Sequence, residues 1–120
     1  MTTTERFLKY VAVDTNSLPG IEKVPSTDKQ FDLANILADE LREMGAEDVE
    51  VSEYCYVYGK LPATPGYENK TKIGFIAHMD TVSDFCDHDI VPVLHENYDG
   101  KDLVLGTSGR VLDTKNFPHL

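Results

Sequence analysis

Basic residues are scarce in this chain. Lys and Arg number 11 against 21 Asp and Glu, which leaves a formal net charge of −10 over 120 residues. Nucleic acid and anionic membrane surfaces are recognised through basic patches, so neither is expected as a partner. Cysteine is nearly absent. Cys55 and Cys86 form no Cys-x-x-Cys pair and no disulfide framework, which fits a reducing cytoplasm. No apolar run is long enough to cross a bilayer, and Met1 to Tyr10 lacks the apolar centre of a signal peptide. Three catalytic signatures are missing as well. Gly106-x-x-Gly109 is too sparse to cradle phosphate and no Gly-Lys-Ser/Thr follows it. Ser108 has no Gly-x-Ser-x-Gly setting, and His95-Glu96 lacks the second His of a helical zinc-protease motif.

What is present fits one domain, since 41% of the residues are hydrophobic and that is enough for a core. Thr2-x-x-Glu5 resembles a capping box, followed by Phe7, Tyr10 and Val11 on one helical face. Pro19-Gly20 marks a loop. A second helix follows, with Thr27-x-x-Gln30 as its box. Asp32, Asn35, Asp39 and Arg42 form its polar stripe, and Gly45 is expected to end it in the left-handed conformation. Val49 and Val51 alternate with polar residues as in a half-exposed strand. Tyr54, Tyr56 and Tyr58 alternate with Cys55, Val57 and Gly59. Three tyrosines on one strand face suit a peptide grip, but ordinary cross-strand packing is the favoured reading. Asn97 to Gly100 reads as a turn before a short strand at Leu103 to Leu105. The expected fold class is α/β: two amino-terminal helices packed on a mixed sheet.

The central strand of that sheet is expected at Ile73-Gly74-Phe75-Ile76-Ala77, an apolar run that ends in His78-Met79-Asp80. A strand apolar along its length reads as buried in the middle of a sheet. Side chains at i and i+2 share a face, so His78 and Asp80 are expected to point into one site at the strand's carboxyl end. A buried His bonded to a neighbouring carboxylate explains the same tripeptide equally well. Cys86 and His88 are also zinc ligands in type, so His78, Asp80, Cys86 and His88 make a second candidate set. That set lacks the paired spacing of structural zinc motifs, and an acidic surface loop is the favoured reading of Asp84 to Asp89.

The segment Ile73 to Thr81 resembles the first metal-binding segment of the dinuclear zinc exopeptidases. Further segments resemble the tripeptide aminopeptidases, the peptidase T group. They are Arg6 to Tyr10 with Asp14-Thr15, Val24-Pro25-Ser26-Thr27, Glu96 to Asp102 before Leu103 to Gly106, and Phe117-Pro118. The resemblance implies that His78 is a first ligand of one zinc and that Asp80 belongs with the catalytic residues beside it. It implies two Zn2+ per complete enzyme, a glutamate general base, and a tripeptide substrate that loses its amino-terminal residue. It also implies a chain of several hundred residues. Residues 1–120 then form the amino-terminal part of the catalytic domain. The bridging Asp, the other ligands and the dimerisation domain fall outside it. Such a piece is expected to be inactive alone and to leave apolar sheet surface open to self-association. The alternative is a non-catalytic binding or assembly domain that keeps this part of the fold.

Overall fold

The computed structural model describes residues 1–84 and 90–120. It divides into two units, 1–90 and 91–120.

In the first unit, Thr2 opens helix α1 (Thr3–Val11) with the expected capping box: the Glu5 amide donates to the Thr2 hydroxyl and the Thr2 amide to the Glu5 carboxylate. Helix α2 (Gln30–Glu43) departs from expectation at its start. Its N-cap is Lys29, with no side-chain cap. The Thr27 hydroxyl instead donates to the Asn16 carbonyl at 2.6 Å and accepts from the Gln30 side chain at 3.1 Å. Tertiary bonding thus took the hydroxyl that local capping would have used. The carboxyl end matches expectation. Gly45 has φ +83, its amide donates to Arg42 and the Ala46 amide donates to Leu41, a complete Schellman motif.

Helix α2 packs on an antiparallel hairpin of β1 (Glu47–Val51) and β2 (Val57–Lys60), with Val51 opposite Val57. Leu33, Ala34 and Ala38 are buried, and Gly59 lies under the helix. A Cβ at Gly59 would sit 3.2 Å from Leu41 Cδ1 and 3.6 Å from Val49 Cγ2. Overpacking costs about 1–3 kcal/mol, against at most about 1 kcal/mol of strand preference gained by a β-branched residue. Gly59→Val is therefore expected to lower the denaturant midpoint, and an unchanged midpoint would contradict the close approach.

Helix α1 buries none of its residues fully, and Phe7 of its expected apolar face is exposed. It is fastened to α2 by charge. Glu40, 3% exposed, accepts from Arg6 Nη1, from the Tyr10 hydroxyl, and from Lys9 Nζ at 2.8 Å.

Among the described residues the expected mixed sheet is not formed. The described residues hold two separate two-stranded antiparallel sheets, the second in the unit 91–120. There β3 (Leu103–Leu105) pairs with β4 (Arg110–Leu112) across a turn containing Gly106 and Gly109, both at positive φ. Ile73–Ala77 is not a strand: Phe75 is 94% exposed, and among the described residues no backbone hydrogen bond reaches the run. A strand apolar on both faces is stable only with hydrogen-bonded neighbours and a covering layer on each side. Two helices and one hairpin supply neither. The tyrosines also differ from expectation. Only Tyr58 lies in β2, while Cys55, buried with φ +63, sits in the turn that Ser52 closes. Their rings also pack on each other along the chain, 6.4 Å for Tyr54–Tyr56 and 6.3 Å for Tyr56–Tyr58, and Tyr58 stands opposite Glu50 across the hairpin.

Among the described residues no helix is long and apolar enough to cross a membrane.

Candidate functional site

His78 and Asp80 do meet, although no strand aligns them. His78 Nδ1 lies 3.1 Å from Asp80 Oδ1 and 3.0 Å from the Asp80 carbonyl oxygen. Both partners accept and neither donates when the carboxylate is ionised. The proton of a neutral ring therefore sits on Nδ1, and the Nε2 lone pair is left for a ligand. The His78 side chain is 85% exposed.

The backbone just after the pair is anchored by a loop that the sequence did not point to. Asn16 and Thr81 form an isolated parallel bridge. The Ser17 amide donates to the Thr81 carbonyl at 2.9 Å, and the Thr81 amide donates to the Thr15 carbonyl at 3.2 Å. The Thr15 and Thr81 hydroxyls are 3.4 Å apart. Behind this contact the loop is braced again. Its Asn16 carbonyl takes the Thr27 hydroxyl, the Leu18 amide donates to Ser26 Oγ at 3.0 Å, and Asp14 pairs with Lys29 at 2.7 Å. Thr15 and Asn16 are buried as a result. From sequence, Thr27 reads as the cap of α2 and Asp14-Thr15 as part of a resemblance, neither as a support for the segment after His78. The sequence signal for their role was a cluster of small hydroxyl and amide residues around Pro19-Gly20, which is also the signature of a surface loop.

Electrostatics agree with the geometry. The Asp80 carboxyl is held below its usual range, first by the Ser17 hydroxyl and next by the hydrogen bond to His78. The Ser17 hydroxyl itself donates to the Thr81 carbonyl at 3.1 Å.

A wide open cavity of about 1110 Å³ adjoins the pair, and its walls include Leu33, Leu37, Leu41, Phe75, His78 and Asp80. The donors fit one position of a metal centre: an imidazole with a lone pair facing outward, oriented by a carboxylate. Among the described residues no group of three or more His, Cys, Asp or Glu converges on a common point. Cys86 and His88, the other candidate ligands, lie outside the described residues.

No protein-family model matches the chain. Curated proteins do. It is 47% identical over 116 residues to the Peptidase T of Aliivibrio fischeri, covering 97% of this chain and 28% of that protein. It is 46% identical over 118 residues to the Peptidase T of Alkaliphilus oremlandii, again 97% of this chain and 29% of that protein. For the Peptidase T of Desulfitobacterium hafniense the identity is 48% over 121 residues, with 97% and 28% covered. The chain thus spans about 28% of the length of curated relatives that it matches along almost all of its own.

Proposed function

We propose that this chain is the amino-terminal part of the catalytic domain of a zinc-dependent tripeptide aminopeptidase, a cytoplasmic hydrolase that releases the amino-terminal residue of a tripeptide. The observation behind this reading is identity of 46–48% over 97% of the chain to proteins named Peptidase T. The His78–Asp80 hydrogen bond supports it from the chemical side.

In this reading His78 gives its Nε2 lone pair to one zinc, and Asp80 accepts the Nδ1 proton. Asp80 thereby fixes the tautomer, orients the ring and raises its basicity. When bound, zinc supplies Lewis acidity toward the scissile carbonyl and toward a water molecule. One imidazole and one carboxylate do not make a two-zinc site, so further donors belong to the part of the relatives that this chain does not span. The exposed apolar run Ile73 to Ala77 suits burial against that same part, and in the isolated chain it favours self-association.

The test is to join residues 1–120 to the remaining length of the Aliivibrio fischeri relative. The joined protein is expected to release amino-terminal residues from tripeptides when loaded with zinc. The 120-residue chain alone is expected to bind zinc weakly and release nothing. Two tightly bound zinc ions per isolated chain would overturn the reading.

A further inference from the structure

We infer that helix α1 is a strap that opens as a unit while α2 and the hairpin stay folded, and that one carboxylate, that of Glu40, holds it shut. A helix of nine residues is not stable alone in water, so α1 stands only while something outside it holds it. Apolar packing is not that hold. None of its residues is fully buried, and Phe7 is exposed. Helix α2 packs on both β1 and β2, and no comparable packing joins α1 to another element. Among the described residues, every side-chain hydrogen bond from α1 to another element ends on Glu40. Arg6 and Tyr10 make two of these, and Lys9 makes the third at 2.8 Å.

The chain beyond the carboxyl end of α1 is pinned. Asp14 pairs with Lys29 at 2.7 Å, the Thr15 carbonyl accepts from the Thr81 amide at 3.2 Å, and the Asn16 carbonyl accepts from the Thr27 hydroxyl at 2.6 Å. Ala12 and Val13 link the helix to this anchor, so the swing is about that link. The amino-terminal end has no such anchor among the described residues; its bonds are those of its own capping box. Opening is also tolerable for the charges. Arg6 and Lys9 are partly in water already, and Glu40 meets water once they leave, so no ion is stranded in a dry interior.

Phe7, Tyr10 and Val11 help to wall the cavity that Leu37, Leu41 and His78 also line. An open strap takes that wall away and widens access to the cavity. Lids of this kind are drawn from the least stable parts of a fold. The strap rests on the bonds of Glu40 and not on the reaction proposed for the His78–Asp80 pair.

The experiment is amide hydrogen exchange, read by NMR on the 120-residue chain across rising, sub-denaturing urea. The amides of Phe7 to Val11 are expected to exchange through an opening that barely responds to urea, because it exposes little surface. Those of Leu33 to Leu41 are expected to exchange more slowly and to accelerate steeply with urea. Glu40→Gln is expected to speed α1 exchange about thirtyfold, the loss of a hydrogen bond to a charged group. Gly59→Val strains the contact between α2 and the hairpin, which is the same with the strap open or shut. It is expected to speed α2 exchange about tenfold and to leave α1 exchange unchanged. One shared rate and urea dependence for both helices would overturn the inference, and the urea series gives that result without any variant. So would unprotected α1 amides in the parent chain, α1 exchange unmoved by Glu40→Gln, or α1 sped as much as α2 by Gly59→Val.

Discussion

His78→Ala in the joined protein is expected to remove most of the zinc and at least about a hundredfold of activity, whereas Asp80→Asn keeps most of the zinc and loses about 10–100-fold in turnover. The difference follows from the atoms each residue offers. Alanine deletes the Nε2 lone pair, and among the described residues no cluster of three or more His, Cys, Asp or Glu is there to take its place. Asparagine keeps an oxygen that can accept from Nδ1, so the ring stays roughly oriented. It loses the negative charge, and the imidazole becomes a weaker donor to a cation. Atomic absorption for zinc and kcat on a tripeptide separate the two effects. Unchanged activity in both variants would remove the site assignment.

Glu40 is expected to give the largest effect on the fold. It takes three hydrogen bonds from Arg6, Lys9 and Tyr10, and these fasten α1 to α2 in place of apolar packing. Its carboxyl is held down to about 2, chiefly by the Lys9 ammonium and the Tyr10 hydroxyl, against the smaller opposing effect of burial. The ordinary value is 4.5, so the carboxylate contributes its full stabilisation above pH 4.5 and loses it as the pH falls toward 2. Of the groups facing it, the Lys9 ammonium is raised most by its bond to Glu40, whereas the Arg6 guanidinium is raised first by the Tyr10 hydroxyl and then by Glu40. Glu40→Gln is expected to destabilise by about 2 kcal/mol, the range for hydrogen bonds to a charged group. A larger loss is not expected because Arg6 and Lys9 keep access to water once their partner is gone. Denaturant unfolding at neutral pH and at pH 3 checks this. The parent chain should lose stability on acidification, and the variant should lose markedly less. Equal losses would contradict the role given to Glu40.

The elements legible in the sequence were those whose causes are local. The Thr2–Glu5 box and the left-handed Gly45 are settled within one helical turn, and both stand where expected. The strand at Leu103–Leu105 was also legible, but its partner Arg110–Leu112 was not, because three residues are too few to show an alternation. Glu40 was missed for a different reason. An isolated Glu on a helix reads as exposed, and only the approach of Arg6 and Lys9 makes its burial tolerable. The run Ile73–Ala77 failed in the opposite direction. Its composition is that of a central strand, but a strand is a property of its neighbours, and the described residues provide none for it. Of the site, the His78–Asp80 pairing followed from spacing alone, and it survives without the strand that was meant to produce it. The support from Thr15, Asn16 and Ser17 crosses more than sixty residues of chain, a distance over which no local pattern carries information.

The most direct measurement is tripeptide hydrolysis by residues 1–120 joined to the remaining length of the Aliivibrio fischeri relative, followed before and after removal of zinc. Release of the amino-terminal residue that stops with a chelator and returns with added zinc is the expected result. A joined protein that folds, binds zinc and leaves tripeptides intact would contradict it.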